Sequence, residues 1–243
     1  MNKVVIVTGG SRGIGAATSK LLASQGYAVC INYRSRSTEA EQLVAEIKKA
    51  GGSAISVAAD VSSEKDVTAL FDTAEKQLGS ITHLVNNAGV LFKQTRLRDI
   101  NLERFNEIMT TNVASCFLCC REAVRRMDRG GAIVNVSSLA AKTGSPNEYV
   151  DYAASKGAMD TLTRGLSQEI AAEGIRVNGV RPGFIHTDMH RDGGEPDRVK
   201  RLSPQIPLQR GGSPEEVANT IAWLLSEEAS YVTGSFIDVA GGR

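Results

Sequence analysis

The sequence predicts an α/β chain: a single doubly wound parallel β-sheet of about seven strands, flanked by helices on both faces. Three observations carry that expectation. Short β-branched runs alternate with longer helical patterns along the whole chain. Most of these runs are continuously apolar, as strands covered on both faces must be. No internal repeat or linker-like tract interrupts the first 180 of the 243 residues, so one domain over 1–243 is expected.

The elements follow in order. The predicted strands are Val4–Val7, Ala28–Ile31, Ala54–Ala58, His83–Val85, Ala132–Val136, Arg176–Val180 and Phe236–Val239. Helical periodicity fills the gaps, notably Ile14–Ser24, Glu39–Ala50, Lys65–Gln77 and Tyr152–Ala172. The prolines sharpen the map. None precedes Pro146, and five of the six lie within Pro182–Pro214, where glycines also gather. Residues 182–212 are therefore read as a long irregular excursion that carries apolar side chains, as a substrate lid would. It ends at Ser213-Pro214-Glu215-Glu216, which announces a helix by a cap, a first-turn proline and acidic residues.

Composition narrows the class. With 28 basic against 27 acidic residues, the chain lacks the field that nucleic acid or an anionic membrane would call for. The basic stretch Arg125, Arg126 and Arg129 reads as a solvated helix face. The apolar run after Met1-Asn2-Lys3 is too short for a signal peptide, and no segment has the length of a membrane span. Four cysteines in a chain this long are not a disulfide scaffold, so a reducing cytoplasmic setting is expected.

The first strand ends in Thr8-Gly9-Gly10-Ser11-Arg12-Gly13-Ile14-Gly15 and passes directly into a helix. Glycines allow a tight turn and close backbone approach, and a helix N-terminus attracts a pyrophosphate. The spacing is Gly-x3-Gly-x-Gly rather than the Gly-x-Gly-x2-Gly of the dinucleotide fingerprint, but the strand–turn–helix setting is the same and makes the fold Rossmann-like. In such folds a carboxylate ending the second strand selects NAD. Here that strand ends Asn32-Tyr33-Arg34-Ser35, without an acid. Arg12 and Arg34, each unremarkable alone, together favour the 2′-phosphate of NADP, with NAD as the weaker alternative.

Tyr152 and Lys156 stand four apart at the start of a long helix, on one face. A tyrosine near its ordinary pKa of ~10 is a poor base at neutral pH, and a neighbouring ammonium would lower that value.

At this point a family resemblance is evident. The glycine loop, Asp60-Val61, Asn86-Asn87-Ala88-Gly89, Asn112, Ser137-Ser138, Tyr152-x3-Lys156, and Arg181-Pro182-Gly183 followed by Thr187 occur in the order found in short-chain dehydrogenases/reductases. The likeness covers essentially the whole chain. Asn32-Tyr33-Arg34 and Asp238-Val239-Ala240-Gly241-Gly242 most resemble the glucose/ribitol-dehydrogenase-like bacterial enzymes.

The resemblance implies an NADP(H)-preferring oxidoreductase that moves a hydride between nicotinamide and a small alcohol or carbonyl compound. It implies Tyr152 as acid/base, Lys156 as the group that lowers its pKa and holds the nicotinamide ribose, Ser138 on the substrate oxygen, and Asn112 on a proton-relay water. It implies a cofactor held by Gly9, Ser11, Arg12, Gly13, Ile14 and Gly15, by Tyr33 and Arg34, and by Asp60 and Val61 at the adenine. Asn86, Ala88 and Gly89 would line the adenosine side, and Pro182, Gly183, Ile185 and Thr187 the nicotinamide side. It also implies a homotetramer joined through Phe105–Met127, Tyr152–Ala172 and the C-terminal region. A rival reading is a catalytically silent NADP(H)-binding regulator, although every catalytic position is filled.

One departure stands out. Ser138 precedes Tyr152 by fourteen residues, one more than is usual in the family, so the Leu139–Asp151 loop must bulge. Lys142, Asn147 and Glu148 make that loop polar. Cys116-x2-Cys119 lies in an apolar helical stretch and reads as buried small hydrophobes. His186 and His190 lack a third ligand, so no metal is expected and substrate contact is the better reading. His83 introduces a strand and reads as structural.

Overall fold

The computed structural model describes residues 3–127 and 130–243; Arg129 of the basic stretch lies outside them. Seven parallel strands form one sheet in the order β3-β2-β1-β4-β5-β6-β7. They are β1 (Val4–Val7), β2 (Ala28–Tyr33), β3 (Ser53–Ala58), β4 (His83–Asn86), β5 (Ala132–Val136), β6 (Arg176–Pro182) and β7 (Phe236–Val239). The helices are α1 (Gly13–Ser24), α2 (Ser37–Lys49), α3 (Glu64–Leu78), α4 (Leu102–Ile108), α5 (Ser115–Arg126), α6 (Ala140–Thr143), α7 (Val150–Glu169), α8 (Met189–Asp192), α9 (Arg198–Leu202) and α10 (Pro214–Leu225). A π-helical turn, Met109–Ala114, joins α4 to α5.

The continuous apolar runs are explained by the two cores. Val4 and Ile6 of β1 pack with Leu70, Phe71, Cys119 and Met159 on one face. Val5 and Val7 point the other way, into a core with Leu22, Leu43, Ile221 and Leu224. A strand covered twice has no solvent face and so no polar alternation. The three cysteines of α5 and Cys30 are buried free thiols, and burial pushes Cys30 and Cys119 up from the usual thiol range. They pack as small hydrophobes.

Strand order reverses between β1 and β4, where a doubly wound sheet opens a crevice at the strands' C-terminal ends. Local signals set the helix starts. Ser63 caps α3 by accepting the Asp66 amide, and Ser213 and Glu216 form a reciprocal capping box on α10 behind Pro214.

Two expectations need amendment, and a third, on His83, agrees with the structure. The 182–212 excursion is not wholly irregular: it carries α8, α9 and a 3-10 turn at Ser203–Gln205. Only Arg125 of the two described basic residues is a solvated cation. Arg126 is clamped by Asp72, Glu75 and Glu122 at 2.6–2.8 Å, tying α5 to α3. His83 is buried at the start of β4, with Nδ1 bonded to the Thr82 hydroxyl at 2.7 Å, as a structural histidine would be.

Candidate active site

The glycine loop is shaped by contacts that side chains would spoil. Gly9 has a φ of 58°, and a Cβ there would stand 3.1 Å from the Ala88 backbone. A Cβ on Gly15 would strike the Gly9 carbonyl, so α1 can pass this close to the loop only because Gly15 has none. Thr8 ties the loop to the turn after β4: its Oγ1 accepts the amides of Asn87 and Ala88, both at 3.0 Å. Asn87 answers by donating to the carbonyls of Thr8 and Gly9. No side chain caps α1, and no acidic residue occupies its first turn. Its leading amides are therefore available to an anion.

A cleft of about 230 Å³ runs from this turn across the ends of β2 and β3. Of the residues expected at a cofactor, Gly9, Ser11, Arg12, Gly13, Ile14, Tyr33, Arg34, Asp60, Val61, Ala88, Gly89 and Thr187 line it. Gly15 lies beneath the loop. Asn86 is placed differently: its side chain is buried and donates to Asn135 at 2.8 Å, so Asn87 takes its place on the wall. Arg36, Asn32 and Ser62 also line the cleft. Arg36 was legible as a third basic side chain in Arg34-Ser35-Arg36. Asn32 stands where an acid would select NAD, and its Oδ1 accepts the Gly9 amide at 3.3 Å.

The cleft carries Arg12, Arg34 and Arg36 against Asp60 and Asp188. Arg12 pairs with Asp192 of α8 at 2.8 Å, both well exposed, and Arg34 lies 4.0 Å from Asp60. Exposed pairs of this kind are weak and yield readily to a competing phosphate. Asp60 accepts the Ser62 hydroxyl at 2.6 Å, which holds its carboxyl below the usual range despite partial burial. The cradle and these cations fit an anionic dinucleotide.

A second cavity of about 450 Å³ adjoins the cleft, and Ile14, Asn87, Thr187 and Met189 line both. Ser138, Tyr152 and Lys156 lie on its wall together with Pro182, Gly183 and Ile185. Leu139, Glu148 and Tyr149 of the Leu139–Asp151 loop line it too, whereas Lys142 turns away to pair with Asp238. The loop bulges as the spacing requires: Gly144, Ser145 and Asn147 all have positive φ. Ser138, not Ser137, faces the tyrosine, since the Ser137 hydroxyl donates to the Lys156 carbonyl within the fold.

Burial pushes the Tyr152 phenol up to about 12, against a lowering influence from the Ser138 hydroxyl. Burial also draws Lys156 down to about 8. The expectation that Lys156 lowers the tyrosine is therefore not met by these two residues alone. Its ammonium donates to the Val136 carbonyl at 2.9 Å and stands 5.7 Å from the centre of the Tyr152 ring, so desolvation dominates.

Asn112 sits in the π-helical turn, a distortion often found at functional sites. Its Oδ1 accepts the Val90 amide at 2.8 Å, and its Nδ2 donates to the Val90 carbonyl and the Ser155 hydroxyl. It thus braces the turn after β4 against α7. A Cβ on Gly89 would lie 3.2 Å from Asn112 Oδ1 and 3.6 Å from Lys156 Nζ, which puts both groups beside Gly89.

The excursion after β6 covers the second cavity. His190, Phe184, Arg198 and Arg201 reach its wall, while His186 lines a separate groove beside Gly13. Arg198, almost fully buried, bonds Glu148 and Glu195, and Gln94 bonds Glu195 at 2.6 Å. These long-range bonds join the excursion to both loops that flank Tyr152. Composition alone gives no signal for such pairings. Among the described residues no cluster of three or more His, Cys, Asp or Glu has metal-holding geometry, and no helix is long and apolar enough to cross a membrane.

A Rossmann-like sheet with a glycine cradle and a Ser–Tyr–Lys set at its crevice defines a class of nicotinamide-type oxidoreductases. The chain belongs to the short-chain dehydrogenase/reductase family. A family model described as enoyl-(acyl carrier protein) reductase matches residues 9–243. An uncharacterized oxidoreductase, YgfF, of Escherichia coli K12 is 57% identical over 245 residues, spanning 99% of each chain. The 3-oxoacyl-(acyl-carrier-protein) reductase FabG of Staphylococcus aureus Mu50 is 38% identical over 244 residues, covering 100% of this chain and 98% of its own. A blue fluorescent protein from a metagenomic library, solved in complex with NADPH, superposes with a TM-score of 0.92 at 36% identity, over 99% of this chain and 97% of its own.

Proposed function

We propose that this oxidoreductase prefers NADP(H) and interconverts a small alcohol and its carbonyl compound, with Tyr152 as the acid/base. The observation that carries the reading is the junction of the two cavities: the cation-lined cleft opens at Ile14 and Thr187 onto the wall that holds Ser138, Tyr152 and Lys156. The NADPH complex of the similar metagenomic protein supports the choice of cofactor.

When bound, the nicotinamide cofactor would supply the hydride and, in its oxidised form, a positive charge. The amides of α1 would hold its pyrophosphate, and Arg12, Arg34 and Arg36 its 2′-phosphate. Asp60 and Val61 would meet the adenine, and Ile185 and Thr187 the carboxamide. Lys156 would hold the ribose hydroxyls. In reduction, the Ser138 hydroxyl donates to the substrate oxygen, where negative charge develops, and Tyr152 gives that oxygen its proton. In oxidation the phenolate takes the proton back. Asn112, beside Lys156, would place the water that restores the proton from solvent.

Residues 182–212 serve as the substrate lid of a single domain in this reading, and the enzyme works in the cytoplasm. The exposed apolar side chains Leu102, Phe105 and Phe117 on α4 and α5 fit the expected homotetramer. Sedimentation velocity would show a tetramer; a concentration-independent monomer overturns that part.

The test is an NADPH titration followed by turnover on a panel of sugars, polyols, keto esters and quinones, with wild type and Tyr152→Phe. Binding with turnover lost in the variant supports the reading. Binding without turnover by either protein would favour the regulator instead.

A further inference from the structure

The cavity that holds Tyr152 also has three guanidiniums on its wall, those of Arg198, Arg201 and Arg243. Among the described residues, Glu148 is the sole carboxylate on that wall. It is already engaged, because Arg198 pairs with it and with Glu195. Arg201 shares Glu195 at 2.5 Å and is half exposed. Among the described residues, no Asp or Glu carboxylate pairs with Arg243. Its guanidinium lies over the Phe184 ring at 4.9 Å, and Arg198 approaches the same ring at 5.4 Å. Arg243 thus presents an exposed guanidinium that has no Asp or Glu partner among the described residues and lies against the Phe184 ring. Leu91, Leu139, Met189 and Leu202 give the wall an apolar part, alongside polar side chains such as Thr143, Ser145 and Gln205.

We propose that Arg243, assisted by Arg201, seats the anionic end of the substrate, so that the enzyme takes an oxo acid: a ketone joined by a short apolar body to a carboxylate. The inference rests on the reading of Tyr152 as the residue at the reacting carbonyl. A planar guanidinium matches a carboxylate with two parallel hydrogen bonds, and the Phe184 ring against it limits its freedom. The apolar part of the wall suits methylenes, which need no partner. A neutral substrate of equal size would leave Arg243 without a counter-charge.

Calorimetry tests the seat apart from turnover, with 5-oxohexanoate and its methyl ester titrated into the enzyme saturated with oxidised NADP. The expected result is an acid bound about ten-fold more tightly than the ester. In R243Q that preference should vanish, and R243K should restore part of it. Arg243 is exposed, so the substitution leaves the core untouched. Equal affinity for acid and ester, including none for either, overturns the inference, as does a preference that survives in R243Q. Reduction of both compounds with NADPH, measured in parallel, separates the two readings. Selective acid binding without reduction keeps the seat and overturns hydride transfer to this substrate class. Reduction with no selectivity for the acid keeps hydride transfer and overturns the seat.

Discussion

Arg104 of α4 donates to Asp151 at 2.7 Å, and the other Asp151 oxygen accepts the amide of Tyr152 at 2.9 Å. The first turn of α7 is therefore tethered to α4 at the residue adjoining the tyrosine. Asp151 is almost wholly buried, whereas Arg104 retains some access to water. Loss of the arginine strands a buried carboxylate; loss of the carboxyl charge leaves a cation that water can still reach.

The two substitutions should differ for that reason. Arg104→Gln is expected to cost about 3 kcal/mol in urea unfolding, near the value for breaking a buried pair. Asp151→Asn should cost roughly half as much. Equal costs would mean that the pair is not held as the buried distances indicate.

Tyr152→Phe removes only a hydroxyl, so the fold and NADPH affinity should persist while kcat falls about 10³-fold. The pH profiles should split by direction. Burial raises the phenol toward 12, so the protonated form persists through neutral pH and reduction stays level between pH 6 and 8. Oxidation needs the phenolate and should climb as pH rises. An oxidation rate that stays flat from pH 6 to 9 would contradict the assignment.

Cofactor preference should respond to the cations at β2. Arg34→Ala is expected to weaken NADPH about ten-fold in fluorescence titration while NADH changes less than about two-fold. Combining it with Arg12→Ala should erase the preference. Parallel losses for both cofactors would point to a general phosphate role.

His83 gives a stability test at acid pH. Burial lowers it to about 4 from the ordinary 6.5. Above pH 6.5 both folded and unfolded chains hold it neutral, and its contribution is complete. Between 6.5 and 4 the unfolded chain takes up a proton that the folded chain refuses, so stability falls as pH falls. The loss approaches about 3 kcal/mol near pH 4. His83→Gln should flatten this part of the curve, as read from unfolding midpoints across pH; an unchanged slope would place the titration elsewhere.

Much of the fold was legible because its cause is local. Val4–Val7, Ala132–Val136 and Phe236–Val239 were bounded as observed, since an apolar run ending in a turn leaves few choices. β2 runs two residues past Ile31, because Asn32 bonds the Ala59 carbonyl and Tyr33 pairs with Ala58 of β3. Among site residues, the sequence does not tell Asn87 from Asn86: adjacent identical amides carry no mark of which faces inward. That depends on the strand's pleat against Asn135.

By itself the sequence determined the sheet, the glycine cradle, the missing acid at β2 and the Ser138–Tyr152–Lys156 set, because spacing along a strand or helix fixes which face a residue takes. Only the tertiary structure decided the charge states and the shape of the second cavity. Whether Lys156 lowers Tyr152 or burial raises it depends on water lost to side chains far away in the chain. Whether an arginine on that cavity is free or spent depends equally on distant partners: Arg198 meets Glu148, whereas Arg243 lies over the Phe184 ring with no Asp or Glu partner among the described residues. Desolvation and long-range pairing are properties of the assembled volume, and no local run of residues encodes them.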